Sequence, residues 1–354
     1  MAAYTTIDDP EAHFQAVTYT GNGSANHAIT LGGTTDMQPD IVWINNRDAT
    51  DNHQLFDAVR GATKRLEPNI GEGGSEAETT DADTLDSFTS DGFQVDADVK
   101  VNTNAEKYVA WCWKANGTGS SNTDGAINTA ATSANTTSGV SINTYEGTGS
   151  ATTVGHGLGA VPEIIIIRSR DTASVDWAFF HGILGGTKYL LFNTAGAAGT
   201  ASSLWNDTDP TSTVFTIGTT SKVNTDDENY VAYVFTSKQG FSKFGSYIGN
   251  GNADGPFIYT GFRPAWVLIK SYDNAEAWTI QDSKRLGFNP DNRTLRPATT
   301  HAENTTSFYM DLLSNGFKIR NTNTEAGASG YNYIYAAFAE APFVNSNGVP
   351  CNAR

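Results

Sequence analysis

Three short segments contain residue types that could bind a cofactor, a metal ion or a sugar. Residues 155–159, Gly-His-Gly-Leu-Gly, have a glycine spacing similar to that of a dinucleotide-binding loop. Such a loop must follow a strand and open a helix, because amides at the helix N-terminus hold the phosphate. Here Pro162 and a predicted strand follow, so we interpret the segment as a glycine turn containing His156 and predict no cofactor.

Residues 250–255, Asn-Gly-Asn-Ala-Asp-Gly, match the first half of an EF-hand calcium loop. The twelfth position of that loop needs a bidentate glutamate, and here it is Gly261. The histidines show no metal-ligand spacing with each other or with cysteine. They are His13, His27, His53, His156, His181 and His301. We predict no metal site, although the acidic loop at 72–86 leaves a weak divalent ion open as an alternative to a solvated charge run.

No serine lies in a Gly-x-Ser-x-Gly turn and no Ser/His/Asp set follows from spacing, so we predict no catalytic residue. Paired carboxylates for glycoside hydrolysis leave no linear signature, and a glycan-degrading enzyme therefore stays an alternative. Trp205, in the polar loop 203–207, is the aromatic residue we expect to be exposed and available to a ligand. The other tryptophans fall in predicted strands and are expected in the core: Trp43, Trp111, Trp113, Trp177, Trp266 and Trp278.

The chain of 354 residues has a net charge of −16, with 22 Lys and Arg against 38 Asp and Glu. A surface this acidic repels phosphate backbones, so we expect no nucleic-acid partner. Cys112 and Cys351 form no disulfide framework, and Cys112 is interpreted as a small buried hydrophobe. The N-terminus has no basic region and no apolar run, and no stretch reaches about 18 apolar residues. We therefore expect no signal peptide and no membrane insertion.

One pattern occurs three times and organises the chain. It consists of a tyrosine with a glycine turn, a proline with a branched-chain strand, and a late apolar strand that begins with tyrosine. The copies are marked by Tyr19, Pro39 and Tyr108, by Tyr145, Pro162 and Tyr230, and by Tyr247, Pro264 and Tyr333. Proline and late tyrosine are 69, 68 and 69 residues apart. This spacing predicts a triplicated unit of about 100 residues, the size of a domain.

Short strands closed by glycine or proline predict an all-β fold of three tandem antiparallel β-sandwich repeats, jelly-roll-like in type. The predicted divisions are an N-terminal arm (1–15), repeat 1 (16–117), a Ser/Thr/Asn/Gly-rich linker (118–140), repeat 2 (141–241), repeat 3 (243–343) and a C-terminal tail (344–354). The uncharged linker and the tight join after repeat 2 favour one separate bead plus a fused pair. A face with pseudo-threefold symmetry is the alternative.

Two sets of residues that recur in the copies are expected to be structural. Tyr108, Tyr230 and Tyr333 are predicted to be core or corner tyrosines whose hydroxyls bond to the backbone. Arg47, Arg170 and Lys270 follow the proline strand and are predicted to form ion pairs rather than a ligand site.

Several motifs resemble a repeat found in virion proteins of tailed, often marine, bacteriophages. They include Tyr-Thr-Thr-Ile-Asp-Asp-Pro (4–10), Tyr-Thr-Gly-Asn-Gly (19–23), Trp-Ile-Asn-Asn-Arg (43–47), Val-Gly-His-Gly-Leu-Gly (154–159) and Ala-Glu-Ala-Pro-Phe (339–343). The resemblance covers residues 4–343 and implies a tail-fibre or other structural role in the virion, without catalytic residues. The chain has no heptad or collagen-like repeat that would form a fibre shaft.

From this resemblance we expect a non-enzymatic phage virion structural protein, namely a tail-associated fibre or receptor-binding component that serves host attachment. A capsid decoration or head-fibre protein is one alternative, and a glycan-binding or glycan-degrading protein is another. The expected partners are other virion proteins, further copies of the chain in a homo-oligomer, and a host surface glycan or protein. The expected location is the virion, assembled in the host cytoplasm, with Ile7, His13 and Phe14 of the arm available to dock on a neighbour.

Overall fold

The computed structural model describes residues 3–351. This part of the chain is 39% strand and 3% helix, which confirms the predicted all-β class. Its helices are a 3-10 turn at Pro10–Ala12, α1 (Val99–Asn102) and α2 (Ser202–Trp205). Among the described residues, no helix has both the length and the apolar character needed to cross a membrane.

The strands form three groups along the chain. The first group is β1 (Phe14–Thr20), β2 (His27–Thr30), β3 (Ile41–Asn46), β4 (Gln54–Asp57), β5 (Lys64–Arg65), β6 (Thr79–Thr80), β7 (Leu85–Thr89), β8 (Gly92–Val95) and β9 (Lys107–Trp113). The second group is β10 (Ala131–Asn135), β11 (Val140–Glu146), β12 (Thr152–Gly155), β13 (Ile164–Ser169), β14 (Ala178–His181), β15 (Lys188–Leu191), β16 (Gly199–Thr200), β17 (Val214–Ile217) and β18 (Asn229–Phe235). The third group is β19 (Ser242–Ile248), β20 (Phe257–Tyr259), β21 (Phe262–Ser271), β22 (Thr279–Asp282), β23 (Met310–Leu313), β24 (Gly316–Ile319) and β25 (Asn332–Pro342).

Each group forms one larger antiparallel sheet in which the late tyrosine strand lies between the opening strand and the proline strand. The orders are β1-β9-β3-β4, β10-β11-β18-β13-β14-β15-β16 and β19-β25-β21-β22. Smaller sheets, β2-β8-β7, β12-β17 and β20-β24-β23, accompany them, and β5-β6 forms a short ribbon. Because β10 pairs with β11 at the edge of the second sheet, the predicted linker 118–140 is built into the fold.

A pair of stacked tyrosines joins the opening strand to the late strand in each larger sheet. The pairs are Tyr19 with Tyr108, Tyr145 with Tyr230, and Tyr247 with Tyr333, at centroid distances of 5.1, 5.3 and 5.0 Å. The late tyrosines donate to the carbonyls of Val99, Ser221 and Thr324 at 2.8, 2.8 and 2.9 Å. Backbone partners for these hydroxyls were predicted, and the structure confirms them.

The glycine that follows each opening tyrosine by two residues is required by a close backbone approach. These glycines are Gly21, Gly147 and Gly249. A Cβ atom at each would overlap a carbonyl oxygen, that of Thr103, Thr225 or Ala328. The glycine turn therefore lets the chain pass directly over the segment that leads into the late strand.

The two faces of each larger sheet pack against different partners. In β9, Tyr108, Ala110 and Cys112 face the small sheet β2-β8-β7, and Cys112 is buried there as predicted. The alternate residues Trp111 and Trp113 face a second core. That second core is common to all three larger sheets, since it also contains inner-face residues of β18 and β25.

The common core makes the expected arrangement of one separate bead plus a fused pair wrong. Trp43 of the first sheet lies 5.6 Å from Phe192 of the second, and Trp113 lies 5.6 Å from Trp266 of the third. Phe235 of the second sheet lies 6.0 Å from Phe338 of the third, so all three sheets contact one another through aromatic side chains.

The described part of the N-terminal arm packs on its own chain. Ile7 is buried, Phe14 opens β1 and stacks on Phe338 at 5.3 Å, and His13 meets Phe241 edge-on at 5.8 Å. Thr5 donates its hydroxyl to the Gln239 carbonyl at 2.7 Å. These side chains are therefore committed to the second and third predicted repeats, and the expectation that they dock on a neighbour is corrected.

Truncation tests the common core. A fragment of residues 118–354 keeps β10, which belongs to the second sheet, and would expose the inner faces of two sheets, including Trp177, Phe179 and Tyr233. We expect it to lose cooperative unfolding and to bind a hydrophobic dye. A chain ending at residue 345 removes no buried residue among those that the structure describes, and it should unfold like the full chain. A 118–354 fragment with native near-ultraviolet circular dichroism would show instead that the first sheet is an independent bead.

Candidate functional site

The larger sheets enclose an apolar cavity of about 60 Å³. Its lining includes one cross-strand pair from equivalent positions of each sheet: Ile41 with Trp113, Ile164 with Phe235, and Trp266 with Phe338. A cavity without polar lining does not hold ordered water. The centre of the molecule is therefore dry, and the polar chemistry lies around it, at the three interfaces between sheets.

One backbone hydrogen bond crosses each interface at the same position after the proline strand. The Glu78 amide donates to the Arg170 carbonyl (3.0 Å), the Glu303 amide to the Arg47 carbonyl (2.9 Å), and the Ala198 amide to the Tyr272 carbonyl (2.7 Å). Each predicted repeat thus donates to one neighbour and accepts from the other. The contacts run from first to second, second to third and third to first, and so close into a ring.

The interface of the first and second repeats contains a buried charge cluster. Arg60 pairs with Asp57 at 2.5 Å and with Glu78 at 3.0 Å. From the second repeat, Arg170 reaches Glu78 at 2.8 Å and the Tyr233 hydroxyl donates to Asp57 at 2.7 Å. Burial raises the pKa of Glu78, but the hydrogen bonds and charges of Arg170 and Arg60 outweigh it and leave that pKa below its ordinary value.

The same cluster occurs, with equivalent residues, at the interface of the third and first predicted repeats. Arg285 pairs with Asp282 at 2.6 Å and with Glu303 at 3.1 Å. From the first repeat, Arg47 reaches Glu303 at 2.9 Å and the Trp111 indole donates to Asp282 at 3.0 Å. Both clusters use an Asp-x-x-Arg segment, at 57–60 and 282–285.

The interface of the second and third repeats has no such acid–arginine cluster among the described residues. Asp57 pairs with Ile41 in the first sheet, and Asp282 pairs with Trp266 in the third. At the equivalent position of the second sheet, His181 pairs with Ile164. Lys270 crosses the interface and donates to the Ala195 carbonyl at 2.9 Å. Burial lowers the pKa of Lys270 to about 8, so this interface tolerates a cation only where carbonyl oxygens solvate it.

These contacts test the ion pairs that were predicted for Arg47, Arg170 and Lys270. Arg47 and Arg170 form them, as predicted. For Lys270 the prediction is wrong, because this residue lies inside β21, where it pairs with Ile334. Its equivalent in the second sheet is Arg168, which pairs with Val231. The residue equivalent to Arg47 in the third sheet is Tyr272. The acidic loop is likewise less solvated than expected, since Glu78 carries two arginine partners.

Trp205 is not the exposed ligand contact that the sequence suggested. It ends the helical turn α2 and is 1% exposed, with its ring edge-on to Phe180 at 5.7 Å. Leu204 and Trp205 follow each other in this helical turn, and both side chains belong to the same core. The sequence predicted a loop here, with the tryptophan exposed. The other six tryptophans are buried, as predicted.

The remaining candidate residues have structural partners. His156 is buried, and its Nδ1 accepts from the Leu158 amide at 3.2 Å. Asp254 of the partial calcium motif pairs with Lys318 at 2.6 Å. Within residues 3–351, no group of three or more His, Cys, Asp or Glu side chains could hold a metal ion.

Sequence reasoning missed the charge clusters, although a signal was present. Asp57 and Asp282 each lie 18 residues after the proline of their copy, and an arginine follows three residues later. The same spacing in the second copy gives apolar residues, so the motif recurs in only two of the three copies.

A family model described as "Domain of unknown function (DUF7483)" matches residues 9–342. The match therefore includes all three larger sheets and all three interfaces. No curated protein matches the chain.

Removing the Tyr233 hydroxyl tests the charge clusters. We expect Tyr233→Phe to lower the free energy of unfolding by about 1.5–3 kcal/mol, because a buried carboxylate loses a hydrogen bond. Denaturant unfolding measures the change. Tyr309→Phe is the matched control: its hydroxyl makes one exposed bond of 3.4 Å, and its loss should cost no more than about 0.5 kcal/mol. Equal effects of the two variants would contradict the account.

Buried histidines predict loss of stability in mild acid. Burial lowers the pKa of His53 to about 3 and that of His181 to about 4. Below about pH 6.5 the unfolded chain binds protons at these histidines that the folded chain does not bind. Each histidine therefore lowers the free energy of unfolding by about 1.4 kcal/mol for each pH unit below that value. Burial raises the pKa of Asp291 to about 7, which acts in the opposite sense.

The test is a comparison of slopes between pH 7 and pH 5. The double variant His53→Gln/His181→Gln should lose stability less steeply than the parent as pH falls. The exposed His301→Gln is the control and should keep the parent slope. A double variant with the parent slope would mean that these histidines do not stay neutral in the folded chain.

Proposed function

The chain belongs to the DUF7483 family, and from this premise we propose that it is a non-enzymatic structural protein of a tailed-phage virion. Its proposed role is that of a tail-associated fibre or receptor-binding component. The observation that carries the proposal is the closed ring of interfaces around one apolar core, which makes a rigid body out of three similar units. The virion location is supported by the resemblance of the sequence motifs to phage virion repeats.

We also propose that the three units are copies of one β-sandwich repeat. Three observations support this: the equal register of the tyrosine pairs, the glycine that each turn requires, and the backbone bond at equivalent positions of each interface. In a single chain of this kind, three similar units take the places that three separate chains take in a trimer. It can occupy a threefold position on a partner without needing two further copies.

The buried acids favour a structural over a catalytic role. Asp57, Glu78, Asp282 and Glu303 are each engaged by arginine, and each sits between two units. Carboxylates used in this way stabilise one arrangement of the units, whereas a hydrolase needs at least one that faces substrate. The chain then contributes a surface to the particle, with other virion proteins and further copies of itself as neighbours.

Location and copy number in intact particles test this proposal. A reconstruction of the virion, with labelling by antibodies to the chain, should place it at the tail in about a few to a few tens of copies, and the antibodies should block adsorption. Hundreds of copies on the head would identify a capsid decoration protein instead. Absence of the chain from purified particles would overturn the virion proposal altogether.

A further inference from the structure

An open groove of about 380 Å³ lies where the N-terminal arm meets the second and third predicted repeats. It combines aromatic rings with hydrogen-bonding groups. Its central residues are Tyr4, Glu163, Gln239, Lys243, Phe244 and Tyr259. Phe244 also lines the central cavity, so the floor of the groove is part of the rigid core.

Tyr259 presents an aromatic ring to solvent in a fixed orientation. It ends β20, the edge strand of its small sheet, and is 47% exposed. Its hydroxyl lies 3.1 Å from that of Tyr4, and the Lys243 ammonium lies 5.3 Å from the ring centroid. Lys243 also donates to the Tyr259 carbonyl at 2.8 Å. A ring held at both ends loses little freedom when a ligand covers it.

The polar groups beside this ring have hydrogen-bonding capacity beyond the bonds they make within the chain. Glu163 accepts from the Ser237 amide at 2.6 Å, and a carboxylate has about four acceptor sites. The Lys243 ammonium has about three donors, of which the bond to the Tyr259 carbonyl uses one. The groove lining therefore offers free acceptor sites and free donors together with an exposed aromatic ring.

A second ring extends the platform along the edge strand. Phe257 precedes Tyr259 by two residues, so both side chains lie on the same side of β20, about 6.6 Å apart along the strand. Phe257 is 46% exposed. Two exposed aromatic rings beside each other at a sheet edge form an apolar surface that a ligand can cover.

We propose that this groove binds a neutral oligosaccharide. The apolar face of a pyranose ring stacks on Tyr259, its hydroxyl groups bond to Glu163 and Lys243, and the next sugar extends towards Phe257. One acid and one base leave the groove without net charge, while the chain charge of −16 repels polyanionic glycans. This inference rests on the proposed receptor-binding role and names the class of receptor.

An extended peptide fits the same surface less well. Peptides add to an exposed sheet edge through a run of backbone hydrogen bonds, and β20 offers only the three residues Phe257–Tyr259. The rings of Tyr259 and Phe257, by contrast, are both about half exposed to solvent. We therefore argue for the sugar and treat peptide binding as an outcome that overturns it.

The test uses the purified full chain on an array of neutral, uronic-acid-bearing and sulfated oligosaccharides, followed by calorimetric titration with the best neutral hexasaccharide. Tyr259→Ala should weaken binding at least about tenfold, whereas Tyr259→Phe keeps the ring and should stay within about threefold. Phe257→Ala should have a smaller effect than Tyr259→Ala. Phe288→Ala removes an exposed ring that does not line the groove and should change nothing.

Several results would overturn the groove assignment. They are absence of binding to any neutral sugar, binding only to acidic sugars, unchanged affinity in Tyr259→Ala with an unchanged melting temperature, or competition by an extended peptide. Failure here is distinct from failure of the proposed function. A chain found at the tail that binds no sugar refutes the groove alone, and a sugar-binding chain absent from particles refutes the virion role alone.

Discussion

Burial of three sheets against one another is the constraint on which the rest of this structure depends. In each late strand both sets of alternate side chains are apolar, so neither face of the sheet can be left to water. A small sheet covers the outer face, and in β9 it covers Tyr108 and Cys112. The inner face, with Trp111 and Trp113, can be buried only by the other two sheets. The ring closes because the inner face of each larger sheet has no cover of its own.

The polar residues at the interfaces specify how the three sheets are arranged, and they contribute less to the free energy that holds the sheets together. Buried ion pairs contribute little net stability, because desolvation offsets most of their attraction, but a mismatched pair is costly. Asp57 with Arg60 and Asp282 with Arg285 therefore favour the register that gives each acid its neighbouring Tyr233 or Trp111 partner. The third interface uses His181 and Lys270 in place of a charge cluster. That difference makes one junction chemically distinct from the other two, which helps one chain to close in a single order.

The sequence was informative wherever spacing alone determines structure. Repeated tyrosine, glycine and proline positions located the strands and the corner tyrosines, and the tryptophans in predicted strands were correctly assigned to a core. Spacing does not reveal what covers a face, which is why the first unit was expected to be a separate bead. Trp205 was misjudged because four polar and apolar residues in a helical turn, Ser202–Trp205, look like a loop. The groove was missed for a related reason, since it joins Tyr4 to residues 159 and 255 positions further along the chain, and no linear pattern links them.

Rigidity connects this architecture to the proposed role in a virion. A surface component must present its binding residues at fixed positions while its own units resist separation, and a single shared core provides both. The most direct test of the shared core is native-state hydrogen exchange of the full chain, followed by mass spectrometry. The account predicts that β9, β18 and β25 exchange with the same free energy, that of global unfolding. Exchange of β9 through a separate opening of lower energy, with β18 and β25 still protected, would contradict it.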